Sequence, residues 1–267
     1  MTRLIVHPGF HKTGTTTVQH QLEAARGDLA PGWAVLLRDD LADAPAAARA
    51  FSARRDPLEL GLFQAALARV FAAQNAPGIV VSCEGLCGHM PGRTEADDYS
   101  AAPALMAALE TAAREVFGAA LDLRFYLSTR AEGWIESVHW QHVRTGTLTE
   151  PLATFCARMA GAADLDAVVA GIAAAVAAPV SAAPIERTTQ QAQGPATPLL
   201  DLMELPAAQR ACFDARERRN GRPRRANLAA LADRFARINA RLAPEAAAAR
   251  KQALLEEIWA RGKRERA

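Results

Sequence analysis

The sequence predicts an α/β fold built on a mostly parallel sheet with crossover helices. Three observations carry this. Residues 3–17, RLIVHPGFHKTGTTT, run from a short apolar strand through a glycine-containing turn into a helix-compatible stretch. Further short apolar runs, at 33–37, 79–82 and 121–128, alternate with longer stretches of helical spacing. Half of the 267 residues are apolar, enough for one large α/β domain or one domain with a helical annex.

Taken in order, the first strand centres on Leu4, Ile5 and Val6, and its helix covers Val18 to Ala25. Trp33 to Leu37 reads as a second short strand. Residues 41–55, rich in Ala, Asp and Arg, are expected to be helical or mobile. Apolar residues then recur at helical spacing (Leu58, Leu62, Phe63, Ala66, Leu67, Val70, Phe71) until Pro77-Gly78 stops the pattern. Ile79 to Ser82 reads as a buried strand leading into Cys83-Glu84-Gly85. A helix over about 102–117, a strand at 121–128 and a helix over about 132–144 follow. Residues 151–178 read as helical and 180–187 as a last, shorter strand. After a Gln/Gly/Pro-rich connector at 190–198, helices are expected over most of 199–216 and 227–265, separated by the basic loop 218–225. The expected organisation is one domain over 1–267, an α/β core to residue 190 and a mainly helical C-terminal part beyond it. No internal repeat is visible.

The formal net charge of +2 is too small to imply a nucleic-acid partner, although basic residues crowd the C-terminal third. Four cysteines in a chain of this size do not make a disulfide scaffold, and reduced thiols in a cytoplasmic protein are expected. The first strand begins almost at Met1, so no signal peptide is expected. The longest apolar stretch, Ala167 to Pro179, is too short to span a bilayer. No transmembrane segment is therefore expected. Peripheral membrane contact, for which the basic tail Arg261 to Arg266 is available, stays open, as does the oligomeric state.

Strand, glycine loop and helix N-terminus together suit an anion: unpaired N–H groups and the positive end of the helix dipole point at it. Lys12 adds a full charge, and Gly9 and Gly14 supply unusual dihedrals. The order of residues argues against the phosphate loop of ATPases and GTPases, which carries its lysine after the second glycine. Here Lys12 precedes Gly14, and Thr15, Thr16 and Thr17 follow. The run Gly9-Phe10-His11-Lys12-Thr13-Gly14-Thr15-Thr16 resembles the 5′-phosphosulfate loop of sulfotransferases that use 3′-phosphoadenosine 5′-phosphosulfate (PAPS), most of all the bacterial and carbohydrate-type members. The resemblance implies a central parallel sheet akin to that of the P-loop nucleotide kinases. It also implies a donor site made of His11, Lys12, Thr13, Gly14, Thr15, Thr16 and Thr17, with 3′-phosphoadenosine 5′-phosphate (PAP) as nucleotide product.

Further matches lie downstream. In that family an arginine at a strand end and a serine on the next helix hold the 3′-phosphate; Arg130 and Ser137 are the matching positions. The family more often spaces them eight apart, against seven here, and one residue turns a helical side chain by about 100°. A late basic loop closes over the 3′-phosphate in many members, and Arg222 and Arg224 in Asn220-Gly221-Arg222-Pro223-Arg224-Arg225 resemble it in composition. The adenine has no mapped partner, with Trp134, Trp140 and Phe10 as candidates.

In-line sulfuryl transfer to an alcohol or amine needs a base for the acceptor proton and positive charge for the leaving phosphate. Lys12 fits the second role. Glu84 fits the first, at the carboxyl edge of the sheet where ligands collect in open α/β folds; His89 is its rival. No metal is required, and Cys83, Cys87 and His89 lack a fourth zinc ligand at the usual spacing. The acceptor is expected to be a small molecule, glycan or lipid head group, framed by segments 38–57, 88–100 and 144–165. Two other readings stay open: an ATP-dependent small-molecule kinase, against which stands the lack of an apolar strand ending in a metal-binding aspartate, and a non-catalytic nucleotide- or partner-binding protein.

Overall fold

The computed structural model describes residues 1–93, 96–213 and 225–264. Five strands form one sheet: β1 (Arg3–His7), β2 (Trp33–Leu36), β3 (Gly78–Ser82), β4 (Asp122–Thr129) and β5 (Val180–Pro184). Their order is β2-β3-β1-β4-β5, and every pairing is parallel. Parallel strands need crossovers. Helices in these crossovers include α1 (Thr15–Ala24), α2 (Ala44–Arg54), α3 (Pro57–Ala72), α4 (Ala102–Phe117) and the helix Leu165–Ala175. The expected α/β class, with helices flanking a parallel sheet, holds.

The central position of β1 explains its composition. Leu4, Ile5 and Val6 are fully buried, as a strand covered on both faces must be. Ile5 shares a face with Val80 and Tyr126, and on that face Val18 and Leu22 of α1 join Leu199, Leu200 and Met203 in one core. The chain leaves β1 toward β2 on one side and leaves β4 toward β5 on the other. The carboxyl ends of β1 and β4 are therefore where the winding reverses, the place at which open α/β sheets hold ligands.

Two compact units divide the chain: residues 1–132 with 164–219, and residues 133–163 with 220–267. The first contains the sheet. Residues 191–213 belong to it, and Ala196, Leu199, Leu200, Leu205 and Phe213 are part of its core rather than of a helical C-terminal part. The second unit holds α5 (Trp134–Thr145) and α6 (Leu152–Arg158) with the two C-terminal helices Arg225–Arg241 and Pro244–Arg264. Trp140 stacks on Phe235 within its core, at 5.2 Å between ring centroids. Buried Lys251 donates to the Val143 and Gly146 carbonyls, both at 2.9 Å, and so meets acceptors that the end of α5 leaves open.

The last strand is shorter than expected. It stops at Pro184, and residues 185–188 turn into a short helix. Residues 44–54 are helical, and the expected run 227–265 is broken between Arg241 and Pro244. Among the described residues, no helix is long and apolar enough to cross a membrane.

Candidate functional site

The loop between β1 and α1 has three residues in left-handed backbone: Gly9 (φ 58°), Lys12 (φ 68°) and Gly14 (φ 96°). A Cβ on Gly9 would lie 2.2 Å from Thr15 Cγ2, and one on Gly14 would lie 2.5 Å from Ile185 Cδ1. Both glycines are thus required by conformation and by space. Lys12 has no such excuse, and a non-glycine residue held there costs about 1–3 kcal/mol, the kind of strain that collects at ligand-binding loops. The Gly14 carbonyl accepts from the N–H groups of Thr17 and Val18, at 3.0 and 3.3 Å. Among the described residues, no side chain caps α1, although three threonines open it.

Beneath the loop lies a buried polar chain across three neighbouring strands. His7 Nδ1 is 2.9 Å from Ser82 Oγ on β3, and its Nε2 is 3.2 Å from Ser128 Oγ on β4. Ser128 Oγ is 2.8 Å from Thr13 Oγ1, which donates to the Phe10 carbonyl at 2.6 Å. The carbonyl can only accept, and this orders the donors from Phe10 back to His7 Nε2. Thr13 donates to Phe10, so Ser128 donates to Thr13, and His7 Nε2–H donates to Ser128. Burial holds the ring neutral, which makes it the Nε2–H tautomer, with Nδ1 accepting from the Ser82 hydroxyl. Burial lowers its pKa from 6.5 to about 4, against a smaller opposing pull from the Glu84 charge. The Thr13 hydroxyl, expected to meet the donor, instead ties the loop to the sheet. Thr15 is buried beside Gly9, whereas Thr16 is exposed.

Glu84 begins the 3-10 turn that follows β3. Gln19, one turn into α1, donates to its Oε2 at 2.6 Å, which brings this carboxylate to the glycine loop. Burial pushes the Glu84 carboxyl up; the neighbouring His11 ring and the Gln19 bond outweigh it, so the group lies below the ordinary carboxylate value. His11 is held by Tyr99, whose hydroxyl accepts from the His11 backbone N–H at 2.8 Å. The same hydroxyl is 2.8 Å from His11 Nδ1, with the donor between them set by the protonation of the ring.

Arg130 follows β4 and reaches back: its Nη1 donates to the Lys12 carbonyl at 3.2 Å and its Nε to the Glu132 carbonyl at 2.8 Å. The strand-end arginine and the glycine loop thus meet. The Glu186 carboxylate accepts from the Ala131 and Glu132 N–H groups, at 3.4 and 3.3 Å, which pins the turn behind Arg130. Ser137 lies in the second unit, where its hydroxyl donates to the Gly133 carbonyl at 2.6 Å. The His89 backbone N–H donates to Ser52 Oγ at 2.9 Å. Phe10 is fully buried with its ring 4.8 Å from that of Tyr99, and Trp140 is taken by Phe235, so both rings belong to cores. Arg222 and Arg224, with loop 218–224, lie outside the described residues.

Sequence reasoning passed over His7, Ser82, Ser128, Gln19 and Tyr99. The first three carried a readable signal: polar residues at the ends of apolar strands, on one face by alternation. Tyr99 carried none. Comparison with protein-family models, curated proteins and solved structures gives no match.

Proposed function

We propose that this protein is a sulfotransferase that moves the sulfuryl group of PAPS to a hydroxyl or amine of an acceptor. The observation that carries the reading is Glu84 hydrogen-bonded by Gln19, the residue four positions after Thr15, which opens the helix of the glycine loop. A carboxylate and an anion loop side by side are what this reaction asks for. Lys12, Gly14, the exposed Thr16 and the N-terminus of α1 would take the 5′-phosphosulfate. Arg130, joined to Lys12 through its carbonyl, would take the 3′-phosphate side. The central, parallel position of β1 supports a nucleotide-kinase-like arrangement of that loop.

In the reaction the acceptor oxygen or nitrogen attacks sulfur in line, and the bond from sulfur to the bridging phosphate oxygen breaks. The acceptor proton goes to Glu84. The electron pair of the broken bond stays on PAP, where Lys12 and the helix N–H groups stabilise it. His11 sits between the two tasks: its ring lowers the Glu84 carboxyl and its backbone belongs to the loop.

Calorimetric titration with PAP, with ATP–magnesium as comparison, tests the reading. PAP should bind and ATP should bind weakly. Lys12→Ala combined with Arg130→Ala should abolish PAP binding, and Glu84→Gln should keep it while losing transfer. A preference for ATP, or PAP affinity unchanged in the double variant, refutes the assignment.

A further inference from the structure

The second unit holds a groove of about 420 Å³ lined by Arg234, Arg237, Ile238, Arg241, Leu242 and Arg250. Four of these six residues are arginines and none is acidic. The first five recur at i, i+3, i+4, i+7 and i+8, which is one face of the helix Arg225–Arg241 and the residue after it. The other side of that helix carries Leu231, Ala232, Phe235 and Ala236 into the core. Arg250 comes from the helix that follows, Pro244–Arg264.

The two helices are pinned together at the groove. Buried Lys251, next to Arg250, donates to Asn239 Oδ1 at 2.8 Å. Asn239, next to Ile238, donates in turn to the Val143 and Leu148 carbonyls, at 3.0 and 2.8 Å. With its bonds to the Val143 and Gly146 carbonyls, Lys251 serves three acceptors and needs three protons, so it is an ammonium. Its charge adds to that of the arginines. Asp233, one position before Arg234, is turned to the Leu152 N–H, and Glu257 stands 3.7 Å from Arg250 Nη1. Among the described residues, Arg234, Arg237 and Arg241 join no ion pair, and all four arginines are exposed.

Guanidinium groups suit phosphate oxygens, which they bind through paired hydrogen bonds. The groove is larger than a bare inorganic anion needs and falls in the range of organic ligands. Ile238 and Leu242 set an aliphatic strip beside the charges, and Leu242 is a large apolar side chain left 42% exposed. No aromatic ring lines the groove, so a nucleic-acid base has nothing to stack on. Clustered arginines beside exposed aliphatic side chains match the boundary of an anionic bilayer, where phosphate and acyl carbon meet. We infer that this groove seats the phosphate head group of an anionic lipid, with Leu242 at the acyl boundary, and so docks the second unit on a membrane surface. The site is independent of the sulfotransferase reading.

Vesicles of phosphatidylcholine with phosphatidylglycerol, against phosphatidylcholine alone, are the probe, and co-sedimentation of the full chain is the readout. Wild type should bind the mixed vesicles and not the neutral ones. Arg234→Gln/Arg241→Gln should lower the partition coefficient by roughly 30-fold. Arg38→Gln/Arg69→Gln removes the same charge from exposed positions of the first unit and should stay within a few-fold of wild type. Leu242→Ser should weaken binding with the charge unchanged. No binding by wild type, an equal loss in the two double variants, or full binding by Leu242→Ser overturns the site. If the groove variant does not fold, Arg237→Gln alone, with an expected loss of roughly 5-fold, is judged against Arg38→Gln. Thermal unfolding with inorganic phosphate exposes a soluble ligand: a rise in Tm that requires Arg234 and Arg241, without vesicle binding, overturns the lipid assignment. Binding of a single-stranded oligonucleotide through the same two arginines, again without vesicle binding, does so too.

Discussion

Acidification should destabilise this protein through His7. The ring is fully buried, and its chain of hydrogen bonds puts the proton of the neutral ring on Nε2, which leaves Nδ1 bare. A second proton would place Nδ1–H against the Ser82 hydroxyl and a charge between three strands. The folded pKa is about 4, against 6.5 for the free ring. Since the folded value is the lower one, the unfolded chain binds the proton more readily. The stabilisation is complete above pH 6.5 and falls away as pH drops toward 4. The gap between these values corresponds to about 3 kcal/mol in all, of which about 2 kcal/mol is gone by pH 5. Urea unfolding of wild type and His7→Gln between pH 4 and 7.5 measures it. Glutamine keeps one donor and one acceptor and does not titrate, so the difference between the two curves belongs to His7, with Glu84, His11 and other groups cancelling. A difference that is flat over this range, or a ring that titrates near 6.5 by NMR, refutes the proton arrangement. NMR should also find the Nε2–H tautomer at pH 7.

Three further outcomes follow from other parts of the structure. Gly14→Ala puts a methyl 2.5 Å from Ile185 Cδ1 at φ 96°; a loss of about 1–3 kcal/mol by chemical denaturation is expected, together with loss of PAP binding. Tyr99→Phe removes the hydroxyl that serves both His11 N–H and Nδ1; stability should fall by about 1–3 kcal/mol in urea unfolding, and the pH at which Glu84 titrates should change as His11 loosens. Lys251→Met takes away the donor to the Val143 and Gly146 carbonyls and to Asn239 Oδ1. A destabilisation of about 2–4 kcal/mol is expected, read by hydrogen exchange in the second unit, with PAP affinity unchanged.

The sheet was legible because parallel strands covered on both faces must be nearly all apolar. Leu4 to Val6, Ile79 to Val81 and Phe125 to Leu127 say so directly. The edge strand β5 is harder: Ser181 and Ala182 are exposed, which weakens the apolar signal, and nothing in the local sequence marks the turn from strand into the short helix after Pro184. The glycine loop announced itself through Gly9, Lys12 and Gly14, whose chemistry is local. What lies beneath it did not, because His7, Ser82 and Ser128 are far apart in sequence and become one network only through strand order. Had the strand ends been laid side by side, the alternation rule would have put those three residues on one face. Tyr99 is different in kind. It reaches His11 from a loop whose path no local pattern dictates.

The state of Glu84 carries a tension that any mechanism must meet. A base is most effective when its pKa lies near the working pH, yet His11 and Gln19 hold this carboxylate low despite its burial. At neutral pH it is ionised and ready to accept, but it is too weak a base to deprotonate an alcohol before the bond to sulfur forms. Transfer of the proton must therefore accompany or follow attack, once the acceptor oxygen has acquired positive character. That ordering suits sulfuryl transfer, in which the acceptor proton turns acidic only as sulfur approaches. It also assigns a task to Gln19, which holds Oε2 while a carboxylate retains other lone pairs for the incoming proton. Gln19→Leu should free Glu84 to rise toward the ordinary carboxylate value, seen by NMR titration, and should lower the rate of transfer by misplacing the carboxylate rather than by weakening PAP binding. A variant that transfers as fast as wild type, with its Glu84 titration unmoved, would mean that the bond from α1 has no part in setting the base.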